Sequence, residues 1–413
     1  MKPATGNCTI PKPVRTFADP VTGVTLHQLT AGPEPSAHLY FTRCGWLNGG
    51  KYFLFARRQD GAVNLHVACP SGEVRQVTHL PPPPLPNAMM PHMHRRFFAW
   101  EGESLLLRLP AIHPTEPLFA YSWMNEVHLV DIERGTDELL LIFPRSESEQ
   151  PFSGLHTSFT ADGRDLIFTT TRRRRAGEER LDPPTQEWNT ALRDEDHFVS
   201  AIRRYDFTRR TLGDVIFQSN GEQSHLLTCP WNPEILLWVN YLHSSIYTIR
   251  RDGSHLRTLL SGRHLMPGHY NWDVAHRRLT VLVTDTTTWD TTQCSLDVET
   301  GQLRRYPVGG GKHQWHQNAS PDGRWIVTDH LTVGDRNGLS LIDQQTDTLR
   351  PLCQLGCSWG MSAPDGGPMK SEFLHPNPSW SPDGRYVAVS TDFGQGIDAV
   401  QVFLVDTATI NHA

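Results

Sequence analysis

The sequence predicts an all-β fold built from one unit repeated around a ring, and three observations carry that prediction. A turn followed by a β-rich run recurs seven times. The copies are "NGGKYFLFARR" from Asn48, "HRRFFAWEGESLLLRL" from His94, "ADGRDLIFTTT" from Ala161, "NPEILLWVNY" from Asn232, "AHRRLTVLVTD" from Ala275, "PDGRWIVTDH" from Pro321 and "PDGRYVAVSTD" from Pro382. A second turn with its own strand falls between them, as in "DIERGTDELLLI", "YDFTRRTLGDVI", "DVETGQLRRYP" and "IDQQTDTLRPL". The two ends are complementary: "DPVTGVTLHQLT" brings a turn and strand without a first half, and "YVAVSTDFGQGIDAVQVFLVDT" brings three strands without a fourth. Repeats of about 45–70 residues mean stacked units, and four short strands per unit make a propeller blade. The expected architecture is one seven-bladed β-propeller domain over residues 1–413, its ring closed by the N-terminal strand joining the C-terminal blade.

Each element has a local cause. Asp-Gly and Thr-Gly suit the turns because Gly tolerates positive φ and Asp bonds its own backbone. Runs of Val, Ile, Phe and Trp fit a pleated, half-buried surface. The long third interval holds "RRRRAGEERLDPPTQEWNTALRDEDHF", Arg172 to Phe198, read as an insertion in the third blade with a short helix after Pro184. Its arginines, Arg172 to Arg175, would either be solvated or form a positive rim. "PPPPLPNAMMPHMH", Pro81 to His94, reads as a stiff extended connection.

Composition removes several classes. No stretch of the 413 residues approaches the roughly 18–20 apolar residues of a membrane-spanning helix. "MKPATGNCTIPKPVRTF" lacks the apolar region of a secretory signal, and seven scattered cysteines form no disulfide framework, so a cytoplasmic protein is expected. A net charge of −6 argues against a general nucleic-acid binder and leaves no membrane partner implied. The distinctive feature is 21 histidines.

Five of these histidines share nearly one phase. His156, His225, His269, His316 and His375 each lie five to seven residues before the turn that starts a blade. Innermost strands fall at that phase, so equivalent positions converge on the propeller axis. Packing alone does not require an ionisable ring five times over. His313, beside His316 in "GKHQWHQNAS", adds a polar group at the same mouth, whereas His255, His276 and His330 read as surface residues. In "KSEFLHPNPSWSPDGRY", Glu372, His375 and Asn377 form a rigid trio that reads as half of a metal site, with His269 of a neighbouring blade as the further ligand. Imidazole with carboxylate and amide oxygens suits a hard or borderline divalent cation such as Mn²⁺.

These segments resemble the oligogalacturonate lyases of polysaccharide lyase family 22 over nearly the whole chain. "FADPVTGVTLHQLT" is similar to the family's opening strand, and "GHYNWDVAHRRLTVLV" to the blade that presents its first metal histidine, here His269. "EFLHPNPSWSPDGRYVAVSTD" is similar to the family's glutamine-x-x-histidine-proline-histidine-proline segment. The resemblance implies a cytoplasmic seven-bladed propeller holding Mn²⁺ through His269, Glu372, His375 and Asn377. Glu372 stands where the family has glutamine and Asn377 where it has a third histidine, which leaves metal identity open. It implies His225 as the catalytic base and an upstream arginine, Arg204 or its neighbour Arg203, as the cationic partner.

The implied chemistry is β-elimination on a short, acidic, 4-linked uronic-acid oligosaccharide. A cation withdraws charge from the uronate carboxylate, a neutral imidazole takes the C5 proton, and an arginine offers a permanent forked cation. His156, His313 and His316 would then contact substrate. Two alternatives stay open from sequence: a lyase acting on another uronate-containing glycan, and a non-catalytic propeller that binds a metal or a glycan.

Overall fold

The computed structural model describes residues 10–82, 110–123, 125–143, 150–151, 157–181, 198–221, 223–262, 264–288, 290–307, 313–331, 337–357, 375–395, 397–408 and 410. The helix expected after Pro184 and most of the stiff connection after Pro81 lie outside them.

Seven antiparallel sheets account for the strands, which is the seven-bladed β-propeller expected from the repeats. In chain order the first six blades occupy residues 36–76, 111–142, 150–220, 223–261, 265–305 and 313–354. The seventh joins both ends of the chain. Strand Thr25–Gln28 pairs with Gln401–Asp406 in the register Leu26↔Val405, His27↔Leu404 and Gln28↔Phe403, and Arg15–Ala18 continues the sheet outward. Leu26 is fully buried there, so the closure is sealed by apolar area as well as by backbone hydrogen bonds.

Burial falls from the axis outward, and it explains the residue types along each blade. In the fourth blade the innermost strand, Gln223–Thr228, is buried at every position, and the next, Ile235–Asn240, at all but the first. The outermost, Arg257–Ser261, buries one residue of five. Apolar faces of adjacent blades interlock: Leu237, Val239 and Ile246 of the fourth blade pack with Tyr270, Leu279 and Val281 of the fifth. Burying each such side chain is worth about 1.5–3 kcal/mol. Among the described residues no helix is long and apolar enough to cross a membrane.

One segment breaks the pattern. Between Ser36–Ala37 and Trp46–Leu47, the first blade sends residues 38–44 across the axis instead of pairing them. Phe41, fully buried, sits at the centre, and its carbonyl accepts from Asn271 Nδ2 of the fifth blade (3.2 Å) and Asn318 Nδ2 of the sixth (3.0 Å). His38 joins the seventh blade through Ser379 Oγ (2.8 Å) and Ser390 Oγ (2.7 Å). Arg43 reaches the third and fourth through the carbonyls of Thr157 (2.5 Å) and Leu226 (3.1 Å). Buried backbone must find partners, and here side chains of the surrounding blades supply them. The segment is a plug, and it forms the floor of the site.

Candidate functional site

A register shift interrupts the innermost strand of three successive blades. Ser224 pairs with Val239 but Leu227 with Leu237, so His225 and Leu226 together face Trp238. In the fifth blade the two extra-faced residues are His269 and Tyr270, and in the sixth Trp315 and His316. The seventh repeats the arrangement: Ser390 N donates to the Pro376 carbonyl and Ser379 pairs with Ala388, which leaves Asn377 and Pro378 opposite Val389. Such bulges re-aim side chains beside functional sites. His225, His269 and Asn377 all take left-handed backbone, with φ of 52°, 43° and 50°. That conformation costs a non-glycine residue about 1–3 kcal/mol and persists where the surroundings enforce it. Three strained residues at one register position mark this end of the axis.

The rings meet there in an arc. Centroid separations run 5.6 Å from His225 to His269, 4.9 Å from His269 to His316 and 4.9 Å from His316 to His375. The side chains of His225, His316 and His375 are buried, while His269 keeps part of its surface open to the mouth, as do Trp315 and Tyr241. Burial holds His269 and His316 down at about 3 and His375 well below the usual range, with neighbouring imidazoles adding to the effect at His269 and His375. All three are therefore neutral at pH 7, and neutral imidazole is the form that binds a metal.

Asp329, fully buried, orients the arc. Its carboxylate accepts from the His316 backbone N–H (2.8 Å) and lies 2.7 Å from His316 Nδ1. Burial raises the Asp329 carboxyl to about 6, so it is ionised at neutral pH and takes the Nδ1 proton as an acceptor. With Nδ1 committed, Nε2 is the His316 nitrogen a cation would take. His316, Asp329 and His375 bring ligand-type atoms within 4.8 Å of one another. Asn377 holds the His375 carbonyl through Nδ2 (3.1 Å), and its Oδ1 is buried with no partner among the described residues. Three neutral imidazoles, an oriented carboxylate and an unsatisfied amide oxygen form a donor set that fits a divalent cation.

His225, at the end of the arc, is held on both edges. Its Nε2 lies 3.0 Å from the Tyr40 hydroxyl of the plug, and Nδ1 lies 2.9 Å from Ser224 Oγ and 3.4 Å from the Tyr241 hydroxyl. Tyr270 OH donates to the His225 carbonyl (2.7 Å), which stabilises the strained backbone. Beneath it, burial lowers the Arg43 guanidinium to about 10, still protonated, with no carboxylate partner among the described residues.

Several sequence expectations meet a different placement. The four described histidines do not share one register: His225 and His269 sit first in their bulges, His316 second, and His375 two residues before the Asn377 position. His316, expected to touch substrate, lies between two of the proposed ligands. Arg204 forms an ion pair with Asp165 (4.0 Å), and among the described residues it makes no ion pair or hydrogen bond with the arc. Arg172 forks onto Glu178 at 2.8 and 2.5 Å. His330 is buried against Ser340 Oγ rather than at the surface. Glu372 and His156 lie outside the described residues, and so does the His313 side chain. Tyr40, Arg43 and Asp329 were not found from sequence. The first two stand in a stretch without repeat phase, although "HLYFTR" does fall where an innermost strand was due.

No family model and no curated protein sequence matches this chain. Among solved structures, an oligogalacturonate lyase from Vibrio parahaemolyticus has a TM-score of 0.70 at 17% identity, covering 95% of this chain and 96% of that one. An oligogalacturonate lyase in complex with manganese has a TM-score of 0.70 at 18% identity, covering 96% of each chain. A puromycin-hydrolyzing peptidase of Mycobacterium tuberculosis reaches 0.58 at 13% identity, covering 98% of this chain but 56% of its own. The lyases share this fold end to end; the peptidase shares it over little more than half its length.

Proposed function

We propose that this chain is a metal-dependent lyase that cleaves short 4-linked uronic-acid oligosaccharides, oligogalacturonides first among them, by β-elimination. The observation that carries the reading is the arc of imidazoles at one mouth, three of them, His269, His316 and His375, kept neutral by burial, with Asp329 bracing His316. The end-to-end likeness in fold to a lyase solved with manganese supports it.

His269, His316 and His375 would hold the cation, with Asn377 Oδ1 and the proposed Glu372 carboxylate as oxygen donors. When bound, the cation supplies a Lewis acid that withdraws charge from the substrate carboxylate. A set with three imidazoles suits Zn²⁺ or Fe²⁺ as well as Mn²⁺, so Mn²⁺ is the first probe and not the required ion. His225 is the base of the set, its ring 5.6 Å from that of His269. Arg43 supplies a fixed positive charge beneath the mouth and favours an anionic sugar, the role the sequence had suggested for Arg204.

The test is direct. Purified protein with digalacturonate or trigalacturonate and Mn²⁺ should produce the ultraviolet absorbance of an unsaturated uronide. The signal should vanish with EDTA and in His316→Ala. Activity on glucuronate glycans in its place would move the substrate class, and silence on every uronide would sink the lyase reading.

A further inference from the structure

Resting on the lyase reading, we propose that Tyr40 carries the proton between the sugar and His225, so that the buried imidazole never meets the substrate directly. His225 and Tyr40 are both buried, at 5% and 7% exposed, and what separates them is occupancy: both His225 ring nitrogens already have hydroxyl neighbours, Tyr40 on Nε2, Ser224 and Tyr241 on Nδ1. A carbon acid at C5 is a poor competitor for either nitrogen. The phenol is placed differently. Its ring packs against both His225 and His316, with centroids at 5.7 and 5.4 Å, and its oxygen lies 3.0 Å from His225 Nε2, so the phenol joins the base to the proposed ligand cluster. It also comes from the plug, anchored to the blades on either side by Arg43 and by the Phe41 carbonyl. A relay atom must keep its position, and the plug has few ways to move.

The step balances as follows. The Tyr40 oxygen accepts the C5 proton while its own proton crosses the 3.0 Å bond to His225 Nε2. The C–H electron pair passes into the carboxylate-stabilised anion, then forms the C4–C5 double bond as the C4–O4 bond breaks. O4 leaves with that bond's electrons and takes a proton from water on the opposite face, and Tyr40 and His225 pass the C5 proton back to solvent once the product has gone. In net terms one proton has moved from C5 to O4, and nothing has been oxidised or reduced. In a 4-linked galacturonide C5–H and O4 lie on opposite faces of the ring, so Tyr40 serves the C5 side alone and the elimination is anti.

Tyr40→Phe distinguishes the relay from direct attack by the imidazole, because the two predict opposite signs. If His225 acts alone, removing the phenol hydroxyl exposes Nε2 and keeps or raises kcat. If Tyr40 relays, kcat falls by about 100-fold or more, with KM and bound Mn²⁺ unchanged in a variant that still folds. Replacing Tyr40 by a fluorinated tyrosine, whose phenol oxygen is less basic, should change kcat with KM and bound Mn²⁺ unchanged, and an unchanged kcat overturns the relay. An active wild type with an equally active Tyr40→Phe variant overturns the relay and leaves the lyase reading standing. A wild type silent on all uronides removes both.

Discussion

Asp329→Asn perturbs one atom of the proposed metal site without changing its volume. In the native chain the carboxylate takes two hydrogen bonds from His316, at 2.8 Å from the backbone and 2.7 Å from Nδ1. The amide keeps an oxygen for one of them and turns a donor toward the other. His316 must then accept at Nδ1 and carry its proton on Nε2, the nitrogen a cation needs. Loss of a carboxylate behind a ligating imidazole costs about 10–100-fold in metal affinity, and a charged buried hydrogen bond is worth about 1.5–3 kcal/mol, which is the same range. Calorimetric titration of metal-stripped protein with Mn²⁺ and with Zn²⁺ measures it. Affinities equal to wild type would refute the assignment of His316 as a ligand braced by Asp329.

Acid should weaken the metal-free protein. His38, His269 and His316 are held at about 3 and His375 well below its ordinary value, with burial the main cause. Below the ordinary value of 6.5 the unfolded chain binds protons that these folded rings refuse, so stability falls with pH at up to about 1.4 kcal/mol per unit for each ring. Above 6.5 neither state is charged and the contribution is flat. Asp329, raised from 3.8 to about 6, acts oppositely between those values and offsets one ring. A denaturant midpoint no lower near pH 5 than near pH 7 would contradict the cluster's burial. Arg204→Ala should leave turnover unchanged, since Asp165 keeps Arg251 at 2.9 Å. Arg43→Met should cost about 1.5–3 kcal/mol by orphaning the Thr157 and Leu226 carbonyls, read as a lowered thermal midpoint. Deleting residues 1–28 bares the edge of Gln401–Asp406, and aggregation by size-exclusion chromatography is the expected result.

The blade count and the ring closure were legible because both depend on local signals. Turn chemistry, strand-forming runs and their spacing are written residue by residue, and the unmatched halves at the two ends had one way to be completed. His225, His269, His316 and His375 were also legible as a converging group, since equivalent positions of a ring share an axis. Their individual roles were not. In a strand, adjacent residues point to opposite faces, and one extra residue in each bulge decides which ring faces its neighbours. Counting back to the next turn gave His316 and His375 nearly the same phase, yet they occupy different register positions.

Tertiary structure alone decided what stands around the imidazoles. Asp329 is an unremarked residue of "IVTDH" until the sixth blade's bulge lays His316 against it. Tyr40 and Arg43 gain their places because the first blade leaves seven residues unpaired and the axis has room for them. Sequence determines which groups a chain can offer and how often; which of them share a few ångströms of low-dielectric space follows from packing between segments hundreds of residues apart, and no local pattern encodes that.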